Sequence, residues 1–191
     1  AGGTGGHLFP AQALASELIK RGKRVVVMTD GRGHNYRSAF PGAEITTVPA
    51  ATFAGRSPVG RVVAFGVIGL GVISALAKLK SLRARAVVGF GGYPSLPVML
   101  AASIARIPAL LHEQNAIPGR VNRLLAPRVA KIAASLPFAR FAPKNPERIV
   151  FTGNPVRPEA AALNTADYSP PGPTGPIHLL VFGGSQGARS L

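Results

Sequence analysis

No cysteine and no tryptophan occur among the 191 residues, and only seven acids stand against 22 lysines and arginines. Without cysteine there is no disulfide scaffold, no thiolate metal site and no cysteine nucleophile. The lack also fits a reducing compartment. Charged residues make up only 15% of the chain and hydrophobic residues 47%, so the net charge of +15 does not belong to a disordered basic tail. Aromatics are scarce at 6%, the arginines are scattered, and no nucleic-acid-binding motif is present. No nucleic-acid partner is expected. The first residues lack the basic, apolar and small-residue order of a signal peptide. The apolar run worth testing as a membrane span, Val62–Ala77, has 16 residues and contains Gly66, Gly69 and Gly71. A spanning helix needs roughly 20 apolar residues, so this run is not expected to cross a bilayer.

What is present alternates. Short β-branched runs fall at Arg24–Thr29, Glu44–Val48, Ala86–Phe90, Ala109–His112, Val129–Ala133 and Arg148–Thr152. Helical patterns lie between them at Pro10–Arg21, Pro58–Arg83, Pro94–Arg106 and Gly119–Leu125, with Pro10 and Pro94 read as first helical residues. This predicts an α/β fold with a parallel sheet covered by helices on both faces. A Gly-rich loop normally follows a strand. Here one occupies the first six residues with no strand before it, which leads us to expect a fragment. Residues 1–157 read as one Rossmann-like domain lacking its first strand. Residues 158–176, with five prolines, read as a linker, and 177–191 as the opening strand and loop of a second domain.

Three loops could carry chemistry. AGGTGGHLFP opens the chain; successive glycines before a helix let N–H groups approach an anion, with the helix N-terminus adding partial positive charge. It is not a P-loop, and read from Gly3 the G-x-G-x-x-G pattern fails at Leu8. Asp30 could stand in for a ribose-binding acid, but the failed pattern weakens a dinucleotide reading. His7, at the start of the helix, could act as a base or simply cap it. GFGGYPS (Gly89–Ser95) also joins a strand to a helix, and its Tyr93 could stack or hydrogen-bond to a ligand. HEQN (His112–Asn115) leaves a third strand. Glu113 is the only acid between Glu44 and Glu147; it is either a sugar ligand or base, or a structural partner for an arginine. His34, His112 and His178 lack metal-ligand spacing, so no metal is expected.

Taken together, AGGTGGHLFPA, GFGGYPS, LHEQNAIPG, GNPVR and FGGSQGAR resemble in order and spacing the motifs of the MurG family. That resemblance implies the N-terminal half of a GT-B glycosyltransferase, two Rossmann-like domains with the active site between them. It implies an inverting, metal-independent transfer of N-acetylglucosamine from UDP-GlcNAc to the 4-hydroxyl of lipid I, giving lipid II for peptidoglycan, with no cofactor. It also implies a peripheral location on the cytoplasmic face of the bacterial inner membrane. Matched residue by residue, Thr4, Gly5 and Gly6 would face the diphosphate, and His7 would be the base, with Glu113 the alternative. Tyr93, Asn115, Arg157, Ser185 and Gln186 would contact substrate. With most of the donor-binding half outside the sequence, the 191 residues alone are expected to be inactive.

The basic residues have a pattern of their own. No acid occurs from Ile45 to His112, while Arg56, Arg61, Lys78, Lys80, Arg83, Arg85 and Arg106 flank or follow the apolar run. An apolar helix face ringed by cations suits an anionic membrane surface without crossing it. A buried core helix with solvated ends gives the same sequence pattern. A different GT-B transferase, or a peripheral membrane-binding domain, are the alternative functions.

Overall fold

A computed structural model describes residues 5–31, 38–53, 55, 57–165, 167, 170, 172, 175–176 and 179. Apart from Leu179, the expected strand and loop at 177–191, with Ser185 and Gln186, lie outside the described residues, as do Thr4, His34, Arg56 and His178.

Among the described residues six strands form, all in parallel pairs: β1 (Val26–Thr29), β2 (Glu44–Thr47), β3 (Val87–Gly89), β4 (Ala109–Glu113), β5 (Lys131–Ala134) and β6 (Ile149–Phe151). β1 pairs with β2 in one sheet, and β3-β4-β5-β6 make a second. The single sheet expected from the alternation is thus two separately paired parallel sheets among the described residues. They share cores. Met28 of β1 joins the cluster of Ile68, Leu79, Met99, Leu111 and Leu125, while its neighbour Val27 joins Ala11, Ala15, Phe40 and Phe90. Val87 and Val88 of β3 divide in the same way. Alternate residues of a strand face opposite ways, so each sheet carries helical cover on two sides.

The helices are α1 (Gly5–Lys20), α2 (Pro58–Ser81), α3 (Ser95–Ile104), α4 (Arg120–Leu125) and α5 (Pro158–Ala162). α1 begins five residues before the expected start, so Pro10 lies inside it and is not its first residue. Its ring forfeits one backbone hydrogen bond there, yet it is buried with Ala11, Ala13 and Ala15 against the core. α2 starts conventionally, with Pro58 in its first turn and the Ser57 hydroxyl accepting from Gly60 N at 3.2 Å. Pro94 precedes α3 as its cap residue. α5 occupies the start of the segment read as a linker; its Pro-first sequence suits a short helix.

α2 is long and apolar enough to cross a membrane by length and composition alone. One stripe of it is in the core: Ala64, Ile68, Gly71, Ala75 and Leu79. The approach is closest at Gly71, where a Cβ would collide with the Pro49 carbonyl and stand 3.0 Å from Pro97 Cβ. The opposite side leaves Val59, Val62, Val63, Phe65, Leu70 and Ile73 exposed.

Candidate functional site

In a parallel sheet, ligand-binding residues collect where the strands end. β3 ends in Gly89, and the chain then turns through Gly91 and Gly92 at φ of 84° and 73°, a left-handed region that favours glycine. The turn leads to Tyr93, whose hydroxyl donates to Asp30 Oδ2 at 2.8 Å just beyond the end of β1. The acid considered for ribose therefore holds the GFGGYPS loop, and Tyr93 ties the two sheets together at this edge.

β4 ends in His112 and Glu113, both buried. Glu113, 2% exposed, accepts four hydrogen bonds and meets no arginine among the described residues. Oε1 takes Asn115 N at 3.0 Å and Asn115 Nδ2 at 3.1 Å. Oε2 takes Gly119 N at 3.0 Å and Asn122 Nδ2 at 2.8 Å. A buried carboxylate is stable only when its lone pairs are met. Here amides meet them, folding the HEQN loop back onto the first turn of α4. The arginine partnership considered from sequence is not what forms. Asn115 is left exposed with its carboxamide fixed, and Gln114 Nε2 donates to Phe90 O at 3.0 Å, joining this loop to the one after β3.

His7 lies in the first turn of α1, half-buried. Its ring reaches the β3 loop: a Cβ at Gly91 would stand 3.1 Å from His7 Cε1 and 3.2 and 3.3 Å from Asn122 Nδ2 and Oδ1. His7, Gly91 and Asn122 thus meet, with Glu113 directly behind Asn122. At the same end of α1, a Cβ on Gly5 would touch the Phe9 ring at 3.0 Å, and the Arg157 guanidinium lies 4.4 Å from the Phe9 ring centre. This cation–π contact sets the exposed Arg157 of GNPVR beside the N-terminus of α1. Gly6 is exposed in the same turn.

The structure so brings together Gly5, Gly6, His7, Glu113, Asn115 and Arg157, with Tyr93 on the adjoining loop. Asn122 and Phe9 were not singled out from sequence. Asn122 shares the buried side of α4 with Leu125, three residues on, and a polar residue at an inward helical position was the available signal. Among the described residues no group of three or more His, Asp or Glu is placed to hold a metal ion. His112 is held below the ordinary imidazole value by burial, opposed by the Gly153 backbone and the Glu113 charge. Its ring lies tilted against that of Phe90, centres 5.6 Å apart, and its Nε2 lies 3.4 Å from Ser135 Oγ. Glu113 and Asn122 also line a cavity of about 350 Å³ walled by Leu111, Ile132, Phe138 and Phe141.

Chemically, this edge offers an imidazole, fixed carboxamides, an arginine and the N-terminal N–H groups of a helix. These are parts suited to a hydroxyl nucleophile and a phosphate-bearing leaving group. Residues 1–134 match the glycosyltransferase family 28 N-terminal domain. Over its whole length the chain is 50% identical to the UDP-N-acetylglucosamine–N-acetylmuramyl-(pentapeptide) pyrophosphoryl-undecaprenol N-acetylglucosamine transferase of Methylobacterium sp. strain 4-46, covering 52% of that protein. It is 49% identical to the protein of the same name from Rhodopseudomonas palustris strain CGA009, again covering 52% of it. The crystal structure of MurG from Acinetobacter baumannii aligns with a TM-score of 0.66 and 30% identity, over 88% of this chain and 48% of that one. The chain therefore spans about half the length of the curated relatives it matches.

Proposed function

The chain belongs to glycosyltransferase family 28, and from that membership we propose that it forms the acceptor-side half of a transferase moving N-acetylglucosamine from UDP-GlcNAc to lipid I. The observation that carries this reading is the approach of His7 to Gly91 and Asn122, with Glu113 of the HEQN loop behind Asn122, and the placing of Arg157 on Phe9 in the same stretch of α1. Residues 1–157 form the acceptor-side domain, 158–176 the linker, and 177–191 open the donor-binding domain of a GT-B enzyme.

The acceptor's 4-hydroxyl attacks the anomeric carbon from the face opposite UDP, inverting it. The new C–O bond forms as the bond to the diphosphate breaks. His7 takes the hydroxyl proton, in preference to Glu113, whose two oxygens already accept four N–H donors. Charge developing on UDP is met, without a metal, by Arg157 and the N–H groups of Gly5 and Gly6, with Thr4, Ser185 and Gln186 completing the diphosphate site. Asn115 and Tyr93 contact sugar. A chimaera joining residues 1–191 to the C-terminal half of the Methylobacterium relative tests this with lipid I and UDP-GlcNAc. Lipid II is the expected product, and none is expected from the 191 residues alone. A folded chimaera that makes no lipid II overturns the assignment.

The exposed face of α2 supports a peripheral place on the cytoplasmic leaflet of the inner membrane, where an isoprenyl-linked acceptor resides. Five large apolar side chains of that face are more than 60% exposed, and exposed cations stand at both ends of α2, Arg61 in its first turn and Lys80, Arg83 and Arg85 at and after its last. Lys78 is not one of them, since its ammonium donates to Thr46 Oγ1 at 2.6 Å. The buried stripe holds α2 along the domain surface, so the helix lies on the bilayer. Sedimentation with vesicles is the check: binding to phosphatidylglycerol vesicles and not to neutral ones, lost in Val62→Ser/Leu70→Ser, is expected. Equal binding to both, or to neither, removes the anionic-surface reading.

A further inference from the structure

Five buried polar side-chain atoms lack a hydrogen-bond partner among the described residues, and two of them, His7 Nδ1 and Asn122 Oδ1, belong to side chains that meet at Gly91. Asn122 is 4% exposed, and the direction of its carboxamide is settled by its own bonds. Both hydrogens of Nδ2 are committed, one to Glu113 Oε2 at 2.8 Å and one to His112 O at 3.2 Å. What remains is a pure acceptor, Oδ1, and its amide is polarised by the carboxylate behind it. The same Cβ position at Gly91 lies 3.1 Å from His7 Cε1, the carbon between the two ring nitrogens, and of these Nδ1 is the buried one without a partner. An orphaned acceptor that is sealed from solvent is costly, and so is an orphaned imidazole nitrogen beside it. One hydrogen bond between the two satisfies both.

Resting on the reading of His7 as the base, we propose that Asn122 is its positioning residue: Nδ1–H of His7 donates to Asn122 Oδ1, leaving Nε2 as the free acceptor for the substrate hydroxyl proton. Glu113 anchors the chain of contacts, running carboxylate to carboxamide to imidazole. A small turn of the His7 ring closes the contact, as hydrogen bonds around a base commonly tighten once substrate is bound. In the transfer the hydroxyl proton passes to Nε2, Nδ1 keeps its own proton, and the resulting imidazolium is stabilised by Oδ1. No proton reaches Asn122 or Glu113. A Cβ at position 91 would press on both groups at 3.1–3.3 Å, and the φ of 84° there favours glycine as well.

The test uses the active chimaera or full-length enzyme labelled with ¹⁵N-histidine, His7 being assigned through His7→Gln. Long-range ¹H–¹⁵N spectra of the neutral ring are expected to show the Nδ1–H tautomer in the wild type. In Asn122→Ala that tautomer gives way to a mixture, and kcat falls on the order of 10- to 100-fold with KM little changed, a part of the 10²–10⁴ supplied by a positioned base. A wild-type His7 protonated at Nε2 overturns the proposal whether or not the variant folds. So does an unchanged tautomer in a folded Asn122→Ala protein. If His7→Gln keeps full activity, the base assignment fails instead, and the tautomer result still decides whether the Nδ1–Oδ1 bond exists.

Discussion

Glu113 shows how much one side chain organises. It closes the HEQN loop through four donors, so Glu113→Gln replaces one acceptor with an N–H₂ group facing other N–H groups. The expected cost is about 2–3 kcal/mol, read as a lowered denaturant midpoint. His112 carries a pH signature. Its pKa is lowered on folding, so the unfolded chain binds more protons below the ordinary imidazole value of 6.5. The stability its neutral form contributes is present above that value and lost as pH falls through the folded pKa. Denaturant midpoints should drop as the pH falls below about 6.5, and His112→Gln should flatten that slope. Residues on the Gly-rich loops were legible in the sequence because backbone chemistry dictates them. Asn122 was not, because its role exists only once α4 folds back beneath the end of β4.

At the scale of elements, the six strands were readable to within one or two residues, since β-branched apolar runs have few alternatives when both faces are covered. The helix ends were less so. Glycine's weak helix propensity hid the first turn of α1. α2 and α3 stop short of Arg83 and Arg106, which adopt φ of 49° and 55° just past the helix ends, where glycine is usual. The carbonyls of Ser103 and Ala102 are capped there by Arg106 N and Ile107 N. Arg106→Gly should therefore stabilise the protein by about 1 kcal/mol, seen as a raised Tm. The glycines of α2 divide sharply. Gly71→Ala meets the Pro49 carbonyl and should unseat the helix, costing about 3 kcal/mol or more of unfolding free energy. Gly66→Ala, with open space around it, should add about 0.5–1 kcal/mol by the same measurement.

For the whole molecule, the two sheets are separate in hydrogen bonding and joined in packing: β1 and β3 each contribute to both clusters. Leu111→Ala in one cluster and Phe40→Ala in the other should both lower one shared thermal transition followed by circular dichroism, and two resolved transitions would show the sheets to be independent. The parallel α/β architecture was legible from alternation alone.

The charge of Glu113 is balanced by two backbone and two carboxamide N–H groups, with no side-chain cation among its partners in the described residues. Dissolved ions screen exposed charges over about 8 Å at physiological ionic strength, and they do not reach a group 2% exposed. The proposed hold of α2's cationic ends on an anionic bilayer is open to that screening. Added salt would thus strip the protein from a membrane and leave its HEQN loop as it was, a reversible release with the site intact.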